Sequence, residues 1–237
     1  MMELWNQFLS LDGEMWLWLC LLIAGGSVLG NGLILIHITQ NKMGFLNFMI
    51  RLFYSKSLLW CFAFCVFDLL LVVMLYGMSL YALFMACVLF LFFVMSYIDA
   101  VLLAVPDWIN FVCFFGIFGG LYYLEMLESE HFIAAFCVAG GLAVLRIFGS
   151  FVFRKEILGE ADIIVFASMG SLVMIYPSLY LIVLACVLAM GYILCVSLFS
   201  LKGKEIALSG IKVPFVVFLT IAFVLMLIYL QYGESFV

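Results

Sequence analysis

Long apolar runs broken by short polar interruptions set the plan of this chain. The runs at residues 15–38, 58–76, 79–98, 109–124, 132–153 and 213–230 are separated by segments that contain charged, glycine or proline residues. Most are long enough to cross the roughly 30 Å hydrocarbon layer of a bilayer as a helix. A further apolar stretch, residues 163–201, is too long for one crossing at about 1.5 Å per residue. Splitting it near Tyr176-Pro177 gives two. The pattern predicts an all-α polytopic membrane protein of about eight transmembrane helices. Residues 1–57 hold the first helix and a short basic segment, and residues 58–237 form the transmembrane core. The basic segment, from Thr39 to Ser57, mixes Lys42, Arg51 and Lys56 with apolar residues, as an amphipathic stretch at an interface would.

Composition agrees: 70% of the 237 residues are hydrophobic and 10% charged, too few to cover a soluble surface. A net charge of -5 argues against nucleic acid as a partner and leaves the lipid bilayer as the environment. The amino-terminal residues carry Glu3, Asp12 and Glu14 without Lys or Arg, unlike the basic start of a signal peptide. All eight cysteines fall within apolar runs, where a thiol is a small hydrophobe, and no CxxC pair occurs. Cys61 and Cys65 share one helix face, but packing is the default for them. No metal and no cofactor is implied.

Charge placement orients the chain. With the amino terminus outside, Lys42, Arg51, Lys56, Arg154, Lys155, Lys202, Lys204 and Lys212 all fall in cytoplasmic loops, and Arg146 leans toward that side. The outer segments hold Glu3, Asp12, Glu14, Glu125, Glu128, Glu130 and Glu234 with no Lys or Arg. Reversing the orientation inverts the rule. On this topology Asp99, Asp107 and Asp162 share the cytoplasmic face. Two carboxylates brought close together cannot both ionise easily, so one keeps its proton while the other acts as a base. Such a pair can activate water against a peptide carbonyl. Loop-end aspartates are also commonly solvated, and Asp162 begins a helix, where an ordinary capping role is open to it.

The polar interruptions carry a resemblance. Ser96-Tyr97-Ile98-Asp99, followed by Val105-Pro106-Asp107, resembles the first active-site motif of type IV prepilin peptidases, membrane aspartyl proteases with a GxGD signature. Lys155-Glu156, then Gly159-Glu160-Ala161-Asp162, with Ala167 and Gly170 beyond, is similar to their second motif, and Val213-Pro214-Phe215 to the opening of their last helix. The resemblance covers about residues 58–229. It implies that Asp99 and Asp162 form a catalytic dyad, with Pro106, Asp107, Lys155, Glu156, Gly159 and Ala161 as supporting motif residues. It further implies cleavage of the leader of prepilins or pseudopilins, in type IV pilus or type II secretion systems, at the cytoplasmic face of a bacterial inner membrane.

The departures are as informative. Alanine stands at 161 where the family has its second glycine, and alanine adopts positive φ at a higher cost. Ile164 stands where a basic residue is usual. The family's cysteine-paired zinc domain has no counterpart in residues 39–57, so N-methyltransferase activity is not expected. Asp68 and Arg146 lie about 12 to 15 Å inside their spans. Each costs roughly 2.5 to 3.5 kcal/mol there if unpaired, and the reading pairs them in an intramembrane ion pair. Two other functions remain open at this point: a non-catalytic assembly partner of a pilus or secretion machine, and a small proton-coupled transporter. Neither the substrate nor the oligomeric state follows from the sequence.

Overall fold

The computed structural model describes residues 13–38, 45–154, 158–200 and 213–233. Every element among them is an α-helix: α1 (Gly13–Ile38), α2 (Phe45–Tyr54), α3 (Lys56–Tyr76), α4 (Leu80–Leu102), α5 (Asp107–Tyr123), α6 (Ser129–Phe153), α7 (Glu160–Val173), α8 (Ile175–Ser200) and α9 (Phe215–Tyr232). The protein is thus all-α and polytopic. Its surface carries large apolar side chains throughout, among them Leu29, Phe115, Phe136, Ile147, Phe151 and Tyr180, as a lipid-facing surface requires. Six of the described helices are long and apolar enough to cross a membrane: α1, α3, α4, α6, α8 and α9. The sequence pattern suggested eight. The difference lies in α5 and α7, which at 17 and 14 residues extend only about 25 and 21 Å.

The chain divides into two compact units, Met1–Val101 and Leu102–Val237. In the first, α3 buries Ser57, Cys61, Cys65, Asp68, Val72 and Leu75 at three- and four-residue spacing, one stripe of the helix. Helix α1 packs on α3 and on α2, a short and strongly amphipathic helix. The fully buried Asn31 fastens the three. Its Nδ2 donates to the Leu52 carbonyl at 2.6 Å, and its Oδ1 accepts from Ser55 Oγ at 2.8 Å and from Ser57 Oγ. Gly77, at φ 68°, ends α3 with its N–H on the Val73 carbonyl, and Ser79 Oγ caps α4 by accepting from the Ala82 N–H at 3.0 Å. Glycine suits that turn because it reaches positive φ without a Cβ clash. Phe64 stacks on Phe93 with ring centroids 3.9 Å apart, and Tyr76 meets Tyr81 edge to face, which sets the register of the α3–α4 hairpin.

In the second unit the short helix α7 is the hub, packed against α5, α6, α8 and α9. Residues 165–171 and Val173 are all buried. Small residues make that packing close: a Cβ on Gly170 would lie 3.1 Å from Val138 Cγ2 and 3.2 Å from Ser178 Oγ. His131, at the start of α6, bridges the unit, its Nδ1 facing the Ser171 carbonyl at 2.6 Å and its Nε2 the Met126 carbonyl at 3.1 Å. Ser171 lies in the last turn of α7, where carbonyls lack helical partners.

Two boundaries differ from the sequence pattern. The break between α7 and α8, expected near Tyr176-Pro177, falls two residues earlier, at Met174, φ 67°. Pro177 sits in the first turn of α8, where its missing N–H would have had no helical acceptor. Helix α4 runs on to Leu102 rather than ending at Ile98. Ala100, Val101 and Leu102 offer no helix breaker, and the chain turns only at Leu103, φ 53°, ahead of Pro106.

Candidate active site

Asp162 is the third residue of α7, and Gly159 is the residue that caps it. The Asp162 carboxylate turns back to accept the Gly159 N–H on Oδ2 at 3.2 Å, satisfying one donor that a helix start leaves open. Gly159 has φ -68° and ψ 151°, a conformation open to any residue. Its value is space, since a Cβ there would lie 3.0 Å from Asp162 Oδ2. Ala161 lies in the first turn of α7 and is not among the described residues with positive φ. The backbone conformation that would penalise alanine is therefore not used at this position, and alanine favours the helix more than glycine does. Lys155 and Glu156, the other supporting residues of this motif, lie outside the described residues.

Glu160 opens α7 and points outward, 76% exposed, with Oε1 2.8 Å from a guanidinium nitrogen of Arg146 on α6. Arg146 is mostly covered, at 22% exposure. The sequence places Glu160 in a polar interruption and suggests Asp68 as the partner of Arg146. Among the described residues of the second unit, Arg146 forms an ion pair with Glu160.

In the first unit Asp99 lies within α4, three residues before its end, and is buried on the stripe of Met85, Leu89, Phe92, Met95 and Ser96. Counting from the Phe64–Phe93 stack, Asp99 is level with Ser57 and Leu58 on the antiparallel α3. The Asn31, Ser55 and Ser57 hydrogen bonds thus fix the end of the unit that carries Asp99. Asp68 is also buried, further along α3, and its Oδ1 has no hydrogen-bond partner among the described residues. In the second unit Asp107 is exposed and begins α5, directly after its cap Pro106, whose carbonyl accepts from the Ile109 and Asn110 N–H groups. A carboxylate at a helix start faces unpaired N–H groups, a favourable place for negative charge.

The match with known proteins falls on these elements. Residues 85–194 match the type IV leader peptidase family. That match supports a type IV prepilin peptidase-like protein. The matched segment, a little under half of the chain, runs from α4 into α8 and includes Asp99, Asp107 and Asp162. No curated protein and no solved structure matches. The leader peptidase family brings with it a protease-like activity, and the apolar helices a membrane setting. Helices α1 to α3 and α9, with Asn31, Asp68 and the Val213-Pro214-Phe215 stretch, fall outside the match. The Asn31 network and the His131 bridge were not read from sequence as fixed contacts, because their partners are backbone carbonyls and hydroxyls distant in the chain.

Proposed function

We propose that this leader peptidase-like protein is a membrane aspartic endopeptidase that removes the leader of type IV prepilins or pseudopilins, with Asp99 and Asp162 as its dyad. The observation that carries the reading is that the family match spans both aspartates, in the order and motif context described above. The reading requires the two carboxylates to meet in the working enzyme. One holds a proton and the other is ionised. The ionised carboxylate takes a proton from water, whose oxygen attacks the scissile carbonyl carbon. The protonated carboxylate gives its proton to the departing amine nitrogen as the C–N bond breaks. Asp107 and Pro106 shape the segment after Asp99, and Lys155 and Glu156 lead into the second motif.

The positive-inside rule supports a multi-pass protein of a bacterial inner membrane, its amino terminus outside and its active site at the cytoplasmic face. A prepilin entering from that side would present its basic leader to the loops and leave its hydrophobic segment in the lipid. Residues 58–237 form the peptidase core on this reading, with residues 1–57 as an accessory helix and segment. The helical conformation of Ala161, which alanine adopts readily, supports the catalytic reading over the non-catalytic one. Cleavage of a purified prepilin by the full-length protein in lipid tests the reading. Mass spectrometry should find one cut, just before the hydrophobic segment, and an unmethylated new amino terminus. An uncut prepilin overturns the peptidase reading, and a methylated terminus produced by this protein alone overturns the absence of methyl transfer.

A further inference from the structure

The packing of α7 is uneven along its length. From Val165 onward the helix is buried on nearly all sides, held by α5, α6, α8 and α9. Its first turn is different: Gly159 and Glu160 are exposed, and Ala161 to Ile164 are only half-buried. Core packing therefore holds the body of α7 but not the turn that carries Asp162. A helix end without burial frays unless local bonds hold it. Two such bonds are present among the described residues. One is internal, the Gly159 N–H on the Asp162 carboxylate. The other comes from outside the helix, the 2.8 Å contact between Arg146 and Glu160.

Arg146 is suited to that task. It projects from α6, seven residues before the helix ends at Phe153, so its anchor lies within a packed span and not in the connecting loop. The guanidinium is planar, permanently charged and rich in donors, so an oxygen it engages is held in direction as well as distance. The ion pair closes the α6–α7 connection across 14 residues and fixes the first residue of α7 to a neighbouring helix. Glu160 and Asp162 share that turn, so a movement of one is a movement of the other.

We propose that Arg146 is a positioning residue for Asp162, acting through Glu160 to hold the first turn of α7 in place. The proposal rests on the assignment of Asp162 to the dyad and explains a charge that is otherwise costly inside a span. The competing partner for Arg146 is Asp68, the pairing suggested by the sequence.

The test uses the purified full-length protein in lipid nanodiscs with a prepilin as substrate, and two readouts: cleavage kinetics, and hydrogen exchange of the amides at residues 159–163. Arg146→Gln and Glu160→Gln should each lower kcat roughly 10- to 100-fold, the scale of a misplaced reacting group, with KM changed less than about threefold. Both should speed exchange in the first turn of α7. Arg146→Lys should retain part of the activity, and combining Arg146→Glu with Glu160→Arg should restore both readouts. Wild-type kcat and exchange in Arg146→Gln overturns the proposal. So does rescue of Arg146→Glu by Asp68→Arg and not by Glu160→Arg, which would establish the intramembrane pair instead. If Asp162→Asn cleaves normally, the dyad fails, and the exchange measurement still decides whether Arg146 holds the turn.

Discussion

Gly30→Ala tests how the first unit is packed. Gly30 is buried on α1, and a Cβ built there would press on the Cζ tip of the Phe90 ring, with Cε1 at 3.2 Å and Cε2 at 3.3 Å. Carbon atoms rest about 3.5 to 4.0 Å apart, so the ring or the helix must move by about 1 Å or more. Overpacking of this kind costs about 1 to 3 kcal/mol, and the better helix propensity of alanine returns up to about 1 kcal/mol. Taking the middle of both ranges, the net loss is about 1.5 kcal/mol, a fall of roughly 3 to 6 °C in Tm for a chain of this size. Gly26 is the internal control, four residues earlier on the same face of α1. Its Cβ would meet only Cys65 Sγ at 3.4 Å, an ordinary contact, so Gly26→Ala should match or slightly exceed the wild type. Thermal unfolding followed by far-ultraviolet circular dichroism, in one detergent at one protein concentration, reads both. Gly30→Ala combined with Phe90→Leu should recover most of the loss by removing the ring. A wild-type Tm for Gly30→Ala, or a larger loss for Gly26→Ala, would refute this account of the α1–α4 contact.

Asn31→Leu breaks one donated and two accepted hydrogen bonds and should cost about 2 to 3 kcal/mol at roughly 0.6 to 1 kcal/mol each. The same thermal assay checks it, and an unchanged Tm would show that Ser55, Ser57 and the Leu52 carbonyl do not depend on Asn31. His131→Phe leaves the carbonyls of Ser171 and Met126 without the ring that faces them, a loss of about 1 to 3 kcal/mol. Hydrogen exchange should quicken where α7 gives way to α8, and unchanged exchange there would contradict the bridge.

Much of the fold was legible because its signal is local. Apolar runs of 18 or more residues marked α1, α3, α4, α6, α8 and α9 without reference to any partner. The break at Gly77, between the runs 58–76 and 79–98, was equally visible, since glycine suits positive φ. The break at Met174 was hidden: methionine is no helix breaker, while Pro177 advertised a boundary that belongs to the start of α8. The extension of α4 to Leu102 was missed because Asp99 looked like the polar end of a span, although burial on the helix stripe suits it as well.

The candidate site was legible in its residues and less so in its contacts. Asp99 and Asp162 stood out by motif, but Ala161 could be judged only when its backbone proved helical. The ion pair of Arg146 with Glu160 joins residues 14 apart across a polar interruption, beyond the three- and four-residue spacings that sequence periodicity reads. Asn31 acts through the Leu52 carbonyl and the Ser55 and Ser57 hydroxyls, and His131 through backbone carbonyls, partners distant in the chain that no side-chain periodicity encodes.

Asp99→Asn and Asp162→Asn in the purified full-length protein, assayed on one prepilin in lipid, test the central claim most directly. Asparagine keeps the size of the side chain and removes its acid–base chemistry, a change worth roughly 10²- to 10⁴-fold in rate. The account predicts a loss of at least that order in each variant, with the protein accumulating as the wild type does. Cleavage at the wild-type rate by either variant would contradict it.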